Sequence, residues 1–455
     1  MKNLCLIIFI ITSFQISSSQ EKEVHDDIKV YIRSMVDEGH APSISMAYME
    51  GDVVTNFNYG KTKLENGSNV NEHSVYEIGS ISKVFTCIIL ADEVLKGNMS
   101  LDDPISKYLS KDFKAVKGNN REITLKDLAT HTSGLPRMPS NFNPKDLENP
   151  FADYTIKELY EFLNSYELTR DVGAQYEYSN LGMGLLGHIL ELSTGKSYAD
   201  LIKERITNPL GMKSTGIVIN DDMKSNLAYG YNAELKITKN WDLNVLSGAG
   251  AIKSTSSDMV KFFNANVTKD DSDLYKAMAL SHQIAYEDLT NNLRIGLGWH
   301  YNADGTIIWH NGGTGGYKSF GGFVKGTDKA VIVFTNSVHS LDLVGVKQLG
   351  MDVELKLPVK RIYPDIVNVS EDVLESYVGK YELASNFFIT IRRNSKQLSA
   401  QATGQQEFEI YASSDNEFFL KIVDASVTFN KNDIGVVESM TLHQGGQNIP
   451  GKKIE

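Results

Sequence analysis

The stretch YEIGSISKVFTCIIL, residues 76–90, combines an apolar helix with a charged side chain at its start. The apolar residues form a broad surface around the helix, which predicts a helix buried in a core: Val84, Phe85, Cys87, Ile88, Ile89 and Leu90. Lys83 stands in the first turn, three residues after Ser80, so the two side chains lie on the same face. A lysine at the start of a buried helix therefore needs a functional reason.

A serine beside a buried lysine is the arrangement of an activated nucleophile. A serine hydroxyl becomes a good nucleophile only when a nearby base takes its proton. Burial lowers the pKa of an amine, which lets Lys83 act as that base. At a helix N-terminus the backbone N–H of Ser80 can also stabilise an oxyanion. The pattern alone is weak, because a second Ser-x-x-Lys occurs at Ser193 to Lys196, where Gly195 is typical of a helix C-cap and no chemistry is expected.

Two further segments follow the Ser80 motif in chain order. YEYSNLGMG supplies Tyr178 and Asn180 just before an apolar helix, and WHNGGTGGYKSFGGF supplies His310 and Gly312 on a predicted strand. With GSISKVFT, these motifs resemble the penicillin-recognising serine hydrolases, in the branch of class C β-lactamases and their DD-peptidase and esterase relatives. The stretches DLATHTSGLP, NPLGM and GAGAIKSTSSDM look familial as well, and the resemblance covers most of residues 30–355.

The resemblance implies a catalytic group of Ser80, Lys83 and Tyr178. Ser80 attacks a carbonyl and forms an acyl-enzyme, while Lys83 and Tyr178 share its proton as a coupled pair. A tyrosine with an ordinary pKa of about 10 acts as a base only beside a positive charge, and Lys83 is the expected charge.

The same resemblance implies substrate-binding roles for Asn180, His310, Gly312 and Gly313. Asn180 binds the substrate amide and is also a candidate N-cap for the helix that follows. The N–H of Gly313 completes the oxyanion hole with that of Ser80, and the neighbouring glycines leave room for a substrate backbone. His310 replaces the lysine of typical class C β-lactamases, a change that the resemblance associates with DD-peptidases, D-amino-acid peptidases and esterases. A histidine with an ordinary pKa near ~6.5 is mostly neutral at about pH 7.5.

The remaining composition limits the location and partners of the protein. Residues 1–19 combine Lys2, a short apolar run and small residues before Gln20, which predicts a signal peptide and an exported, periplasmic or secreted protein. That run is too short for a transmembrane anchor. The net charge of −12 is spread along the chain, which disfavours nucleic acid or an anionic membrane as a partner and leaves a small-molecule or peptide substrate. No metal or cofactor is expected, because no metal-binding motif occurs and Cys87 is the lone cysteine after residue 19.

The order of elements predicts an α/β fold with an antiparallel sheet, flanking helices and an inserted helical region at about 101–245. We expect a signal peptide (1–19), a β-lactamase-like serine hydrolase domain (20–357), a linker (358–370) and a small C-terminal β domain (371–455). That last domain resembles the lipocalin-like additions of some family members, and its short strands and polar turns predict a barrel or sandwich.

The leading functional hypothesis is an exported serine hydrolase that cleaves amide or ester bonds through a Ser80 acyl-enzyme. D-amino-acid or peptidoglycan-type peptides are the expected substrates, as for a DD-carboxypeptidase or D-peptidase. A β-lactamase, an esterase for small acyl esters and a penicillin-binding module without turnover are the alternatives. A β-lactamase requires fast deacylation, which no motif in the sequence indicates.

Overall fold

The structure is a computed structural model of the 455-residue chain. It describes residues 22–110, 116, 121–358, 363–405 and 407–455. The predicted signal peptide, residues 1–19, lies outside the described residues, as does a part of the predicted linker.

The described residues form helices and strands in two domains. The helices are α1 (Asp26–Asp37), α2 (Ser82–Leu95), α3 (Leu125–Ala129), α4 (Ile156–Ser165), α5 (Asn180–Thr194), α6 (Tyr198–Ile202), α7 (Asp221–Ser225), α8 (Ser256–Val267), α9 (Asp273–Ser281), α10 (Asp342–Gln348) and α11 (Glu371–Tyr377). The strands of the first domain are β1 (Ser43–Glu50), β2 (Val53–Gly60), β3 (Val75–Glu77), β4 (Lys253–Thr255), β5 (Tyr286–Asp288), β6 (Leu293–Ile295), β7 (His300–Tyr301), β8 (Ile307–Gly313), β9 (Lys318–Val324) and β10 (Lys329–Thr335). Those of the second are β11 (Gly379–Ala384), β12 (Phe387–Asn394), β13 (Gln397–Ala402), β14 (Glu407–Ala412), β15 (Glu417–Leu420), β16 (Ala425–Lys431), β17 (Val437–Gln444) and β18 (Gln447–Lys453).

An antiparallel sheet with the strand order β2-β1-β10-β9-β8-β7-β6-β5 forms the centre of the first domain. Strands from both ends of this domain therefore meet at the β1–β10 pair, where Ile44 lies opposite Thr335. β1 is buried along nearly its whole length because helices cover both faces of the sheet. Met46 joins a core with α1 and α10, whereas Ala47 joins the larger core that contains α2 and α8. The predicted α/β fold class is confirmed.

Helix α2 passes through the larger core, as the all-round apolar pattern predicts. Its residues from Ser82 to Glu93 are buried, and it packs against α5, α6 and α9. A single 3-10 turn, Gly79–Ile81, precedes α2 and lies against β8. This contact is close: a Cβ on Gly79 would stand 2.6 Å from the backbone nitrogen of Gly313. The end of β8 and the start of α2 are thus held together.

The helical insertion lies between β3 and β4, which pair with each other beside the main sheet. It contains α3 to α7, and its helix α5 packs against α2. α5 begins at an N-cap, Ser179, whose side chain accepts a hydrogen bond from Gly182 N, and ends at Gly195 in the left-handed conformation. The insertion brings the start of α5 to the start of α2.

The second domain is a closed barrel formed by β11 to β18. Aromatic side chains fill its interior: Tyr377 of α11 stacks on Phe429 with ring centroids 4.1 Å apart, and Phe418 packs against both. The barrel contacts the first domain through Lys421, whose Nζ lies 3.8 Å from Glu234 Oε1. The barrel form of the predicted C-terminal β domain is confirmed.

Candidate active site

The first turn of α2 places a serine and a lysine in direct contact. Lys83 Nζ donates a hydrogen bond to Ser80 Oγ at 2.9 Å and another to the carbonyl oxygen of Ala249 at 2.6 Å. Ser80 is partly exposed, whereas Lys83 is fully buried. The nucleophile is thus open to a substrate while the amine beside it is shielded from water.

Burial makes Lys83 a weak cation. Desolvation, with a smaller contribution from the charge of Arg137, lowers the pKa of Lys83 well below its ordinary value. In the folded protein the amine is therefore able to lose its proton and accept the proton of Ser80.

Tyr178 completes the group around Ser80. Its hydroxyl lies near enough to the Ser80 side chain to influence its own pKa, and its ring centroid lies 4.9 Å from Lys83 Nζ. Burial raises the pKa of Tyr178 to about 12, although the Ser80 side chain and the charge of Arg137 oppose this shift. The sequence left Lys83 and Tyr178 as a coupled pair that shares the proton of Ser80. The two pKa shifts favour a neutral Lys83 amine as the base and a protonated Tyr178 that can pass a proton on.

The end of β8 faces the Ser80 turn across a very short gap. A Cβ on Gly312 would stand 2.0 Å from the carbonyl oxygen of Ile78, so glycine is required at this position. Gly313 follows at the end of the strand, with its nitrogen next to Gly79. The backbone N–H groups of Ser80 and Gly313 consequently lie on facing segments, as a shared oxyanion hole requires.

His310 lies on β8 and is fully buried. Its Nδ1 is 2.5 Å from the carbonyl oxygen of Asn311, which can only accept, so Nδ1 carries a proton. Its Nε2 is buried without a hydrogen-bond partner in the described part of the chain. Burial, followed by the neighbouring His300 and Lys83, lowers the pKa of His310 well below its ordinary value. This environment favours a neutral imidazole and supplies no positive charge for a substrate.

Asn180 is the first residue of α5, and its side-chain nitrogen lies 3.8 Å from Met138 Sδ. The expectation that Asn180 is also the helix N-cap is wrong, because Ser179 fills that position. His131 accepts a hydrogen bond from Ser179 N at its Nδ1, and its ring lies 4.4 Å from that of Tyr178. His131 therefore supports the position of Tyr178.

Two cations near the site were missed in the sequence. Arg137 lies at the exposed side of Tyr178, with its guanidinium carbon 5.0 Å from the ring centroid. Lys318 begins β9 directly opposite Gly313 in the strand register. In the sequence, Lys318 follows just after the glycine-rich turn. Because the two strands of a hairpin pair with each other, this position predicts that Lys318 lies beside the glycine motif. The second Ser-x-x-Lys copy lies at the end of α5, away from this group.

Comparison with known proteins identifies the family. A family model described as Beta-lactamase matches residues 28–350. The chain belongs to this family. As a member of the Beta-lactamase family it is an enzyme, a penicillin-recognising serine hydrolase, as the sequence motifs indicated. A second model, described as Domain of unknown function (DUF3471), matches residues 364–453, which contain the barrel.

Relatives cover both parts of the chain. D-alanyl-D-alanine-carboxypeptidase/endopeptidase AmpH of Escherichia coli (strain K12) is 29% identical over 330 residues, which cover 67% of this chain and 84% of the relative. Penicillin-binding protein 4* of Bacillus subtilis (strain 168) is 26% identical over 430 residues, 87% of this chain and 91% of the relative. A solved class C beta-lactamase has a TM-score of 0.63 and 23% identity, and the match covers 73% of this chain and 97% of that one. This structural likeness shows the shared fold.

No group of three or more metal-ligating side chains occurs within the described residues. No helix in the described ranges is long and apolar enough to cross a membrane.

Proposed function

We propose that the protein is an exported DD-carboxypeptidase-like hydrolase that cleaves D-amino-acid or peptidoglycan-type peptides through an acyl-enzyme on Ser80. The observation that carries this proposal is the 2.9 Å contact between Ser80 Oγ and the buried Lys83 amine. The relatives AmpH and Penicillin-binding protein 4* support the substrate class, and the latter aligns over most of both domains.

The first step is attack on the substrate carbonyl. Lys83 accepts the proton of Ser80 as Ser80 Oγ bonds to the carbonyl carbon, and the N–H groups of Ser80 and Gly313 stabilise the oxygen that becomes negative. Asn180 lines the approach of the peptide as a hydrogen-bond partner. Gly312, expected to leave room for the peptide backbone, instead lets β8 pack against the backbone of Ile78.

The second step is departure of the amine. Tyr178 gives its proton to the leaving nitrogen and recovers one from the protonated Lys83, so the acyl-enzyme forms with both side chains in their starting states. Water then attacks the carbonyl carbon of the acyl-enzyme, and the same side chains move its proton to Ser80 Oγ. The acid product leaves and the Ser80 hydroxyl is restored. His310 takes no part in proton transfer. Its neutral ring lies beside Tyr178, with 6.2 Å between the two ring centroids.

Intact-mass spectrometry after mixing with a penicillin tests this proposal, using residues 20–455 and the Ser80→Ala variant. We expect an adduct that forms on the wild type, persists, and is absent in Ser80→Ala. An adduct that clears while the drug is consumed would favour a β-lactamase instead. No adduct in the wild type, together with no turnover of D-alanyl peptides, would overturn the proposal. Export is tested separately by the N-terminus of the protein secreted from cells, which should lie at about residue 20.

A further inference from the structure

A peptide that ends in a free carboxylate brings a negative charge into the site, and the proposed catalytic group offers no cation to meet it. Lys83 is buried with a lowered pKa, and His310 is a buried imidazole whose one assigned proton bonds to Asn311. A carboxylate that loses its water shell without gaining a cation or hydrogen bonds would bind poorly. A charged partner must therefore be a residue other than Lys83 and His310.

Lys318 lies beside the proposed oxyanion hole. A Cβ on Gly313 would stand 2.7 Å from Lys318 Nζ, so this amine sits over the residue whose N–H is proposed for the oxyanion hole. Asp342 is the acidic residue whose charge acts on Lys318, but its Oδ2 accepts a hydrogen bond from Asn311 Nδ2 at 2.7 Å. Within the described residues, Lys318 forms no ion pair with it.

Arg137 reaches the catalytic group from the helical insertion. Its guanidinium lies against the Tyr178 ring on the exposed side, and it too lacks an ion pair in the part of the chain that the structure describes. Burial is the largest cause that lowers the pKa of Lys83 and of Lys318, and Asp342 opposes the shift in Lys318. The charge of Arg137 adds to the lowering in both, which places both amines within reach of its field. Two unpaired cations that repel each other beside a reaction centre are stabilised when an anion lies between them.

We propose that Arg137 and Lys318 bind the terminal carboxylate of the substrate's leaving group and thereby select peptides with a free C-terminus. The guanidinium can hold a carboxylate through two parallel hydrogen bonds, and the Lys318 ammonium adds a point charge from the opposite strand. This inference rests on the proposed function, because it assigns the specificity of the same Ser80 site.

The test compares one acyl-D-alanyl-D-alanine peptide as the free acid and as the C-terminal amide. The readout is the ratio of the two kcat/KM values, acid over amide, for the wild type, Lys318→Gln and Arg137→Gln. Lys325→Gln is the matched control, because it removes a lysine just beyond the other end of β9. Arg137→Lys keeps the positive charge but removes the planar guanidinium that can hold a carboxylate through two hydrogen bonds.

We expect the wild type to prefer the acid and each glutamine variant to lower the ratio about tenfold to a hundredfold, the range of one charged hydrogen bond. Lys325→Gln should keep the wild-type ratio, and Arg137→Lys should lie between the wild type and Arg137→Gln. A wild-type ratio near one, or a ratio unchanged in both glutamine variants that still form the penicillin adduct, would overturn the carboxylate site and leave the Ser80 hydrolase standing. Failure of the wild type to cleave either peptide or form the adduct would overturn both.

Discussion

Replacement of Lys83 by methionine tests whether its amine is neutral in the folded protein. Methionine has a similar length and removes the amine while it keeps an apolar stem in the core. In the folded chain, burial holds the pKa of Lys83 well below its ordinary value, whereas in the unfolded chain it returns to about 10.4. Between these two pKa values the unfolded chain binds one proton more than the folded chain. The unfolding free energy of the wild type therefore rises with pH in this range.

The expected size follows from the one-proton difference. Each pH unit inside the range adds about 1.4 kcal/mol to the stability of the wild type through Lys83. An interval of about 1.5 pH units that lies inside this range contributes about 2 kcal/mol. Lys83→Met has no such group, so its stability relative to the wild type should fall by about 2 kcal/mol across that interval.

Urea unfolding followed by tryptophan fluorescence measures this difference in the intact protein. The three tryptophans of the chain, Trp241, Trp299 and Trp309, all lie in the hydrolase domain, so the signal reports on that domain and not on the barrel. Lys157→Met is the matched control, since the Lys157 side chain is 76% exposed on α4. Equal pH slopes for the wild type and Lys83→Met would show that Lys83 is charged in the folded state and would refute a neutral base.

Three further outcomes follow from the site. Tyr178→Phe should slow penicillin acylation about 10²- to 10⁴-fold in rapid-mixing experiments, because the proton relay is lost; a near wild-type rate would remove Tyr178 from the relay. His310→Gln should leave the shape of the kcat/KM profile unchanged from about pH 6 to 8, because the pKa of His310 lies well below 6.5; a step near pH 6.5 that only the wild type shows would contradict this. Gly312→Ala should abolish acylation, because its Cβ would stand 2.0 Å from Ile78 O, while Gly216→Ala, at a glycine with open space, should react normally in the same mass assay.

The sequence predicted the parts of the site that depend on local geometry. Ser80 and Lys83 are neighbours because one helical turn separates them, and the apolar pattern of α2 already implied that the lysine is buried. The motif around Tyr178 could be placed next to Ser80 only through the family resemblance, since no local rule connects segments about a hundred residues apart. The fold class was predicted in the same two ways, from the local strand and helix patterns and from the family resemblance.

Other features depend on distances that a sequence does not contain. Lys318 reaches the site because β8 and β9 pair with Gly313 opposite Lys318. A slip of one residue in this register would place the Lys318 side chain on the other face of the sheet. The N-cap of α5 is Ser179 and not Asn180, a difference of one residue that propensity cannot resolve because serine and asparagine cap equally well.

Two lysines near Ser80 illustrate how burial, and not residue type, sets chemical role. Lys83 has no acidic residue among the groups that shift its pKa, so full burial and a neighbouring cation both favour its neutral form. Burial also lowers the pKa of Lys318, but this side chain is only partly buried and the carboxylate of Asp342 opposes the shift. The first amine is thus suited to accept a proton and the second to hold an anion. Exchanging these roles would require moving an acidic residue into the core beside α2, where its own desolvation would cost more than the pairing returns. The apolar helix around Lys83 is therefore a requirement of the proposed mechanism as well as a part of the core.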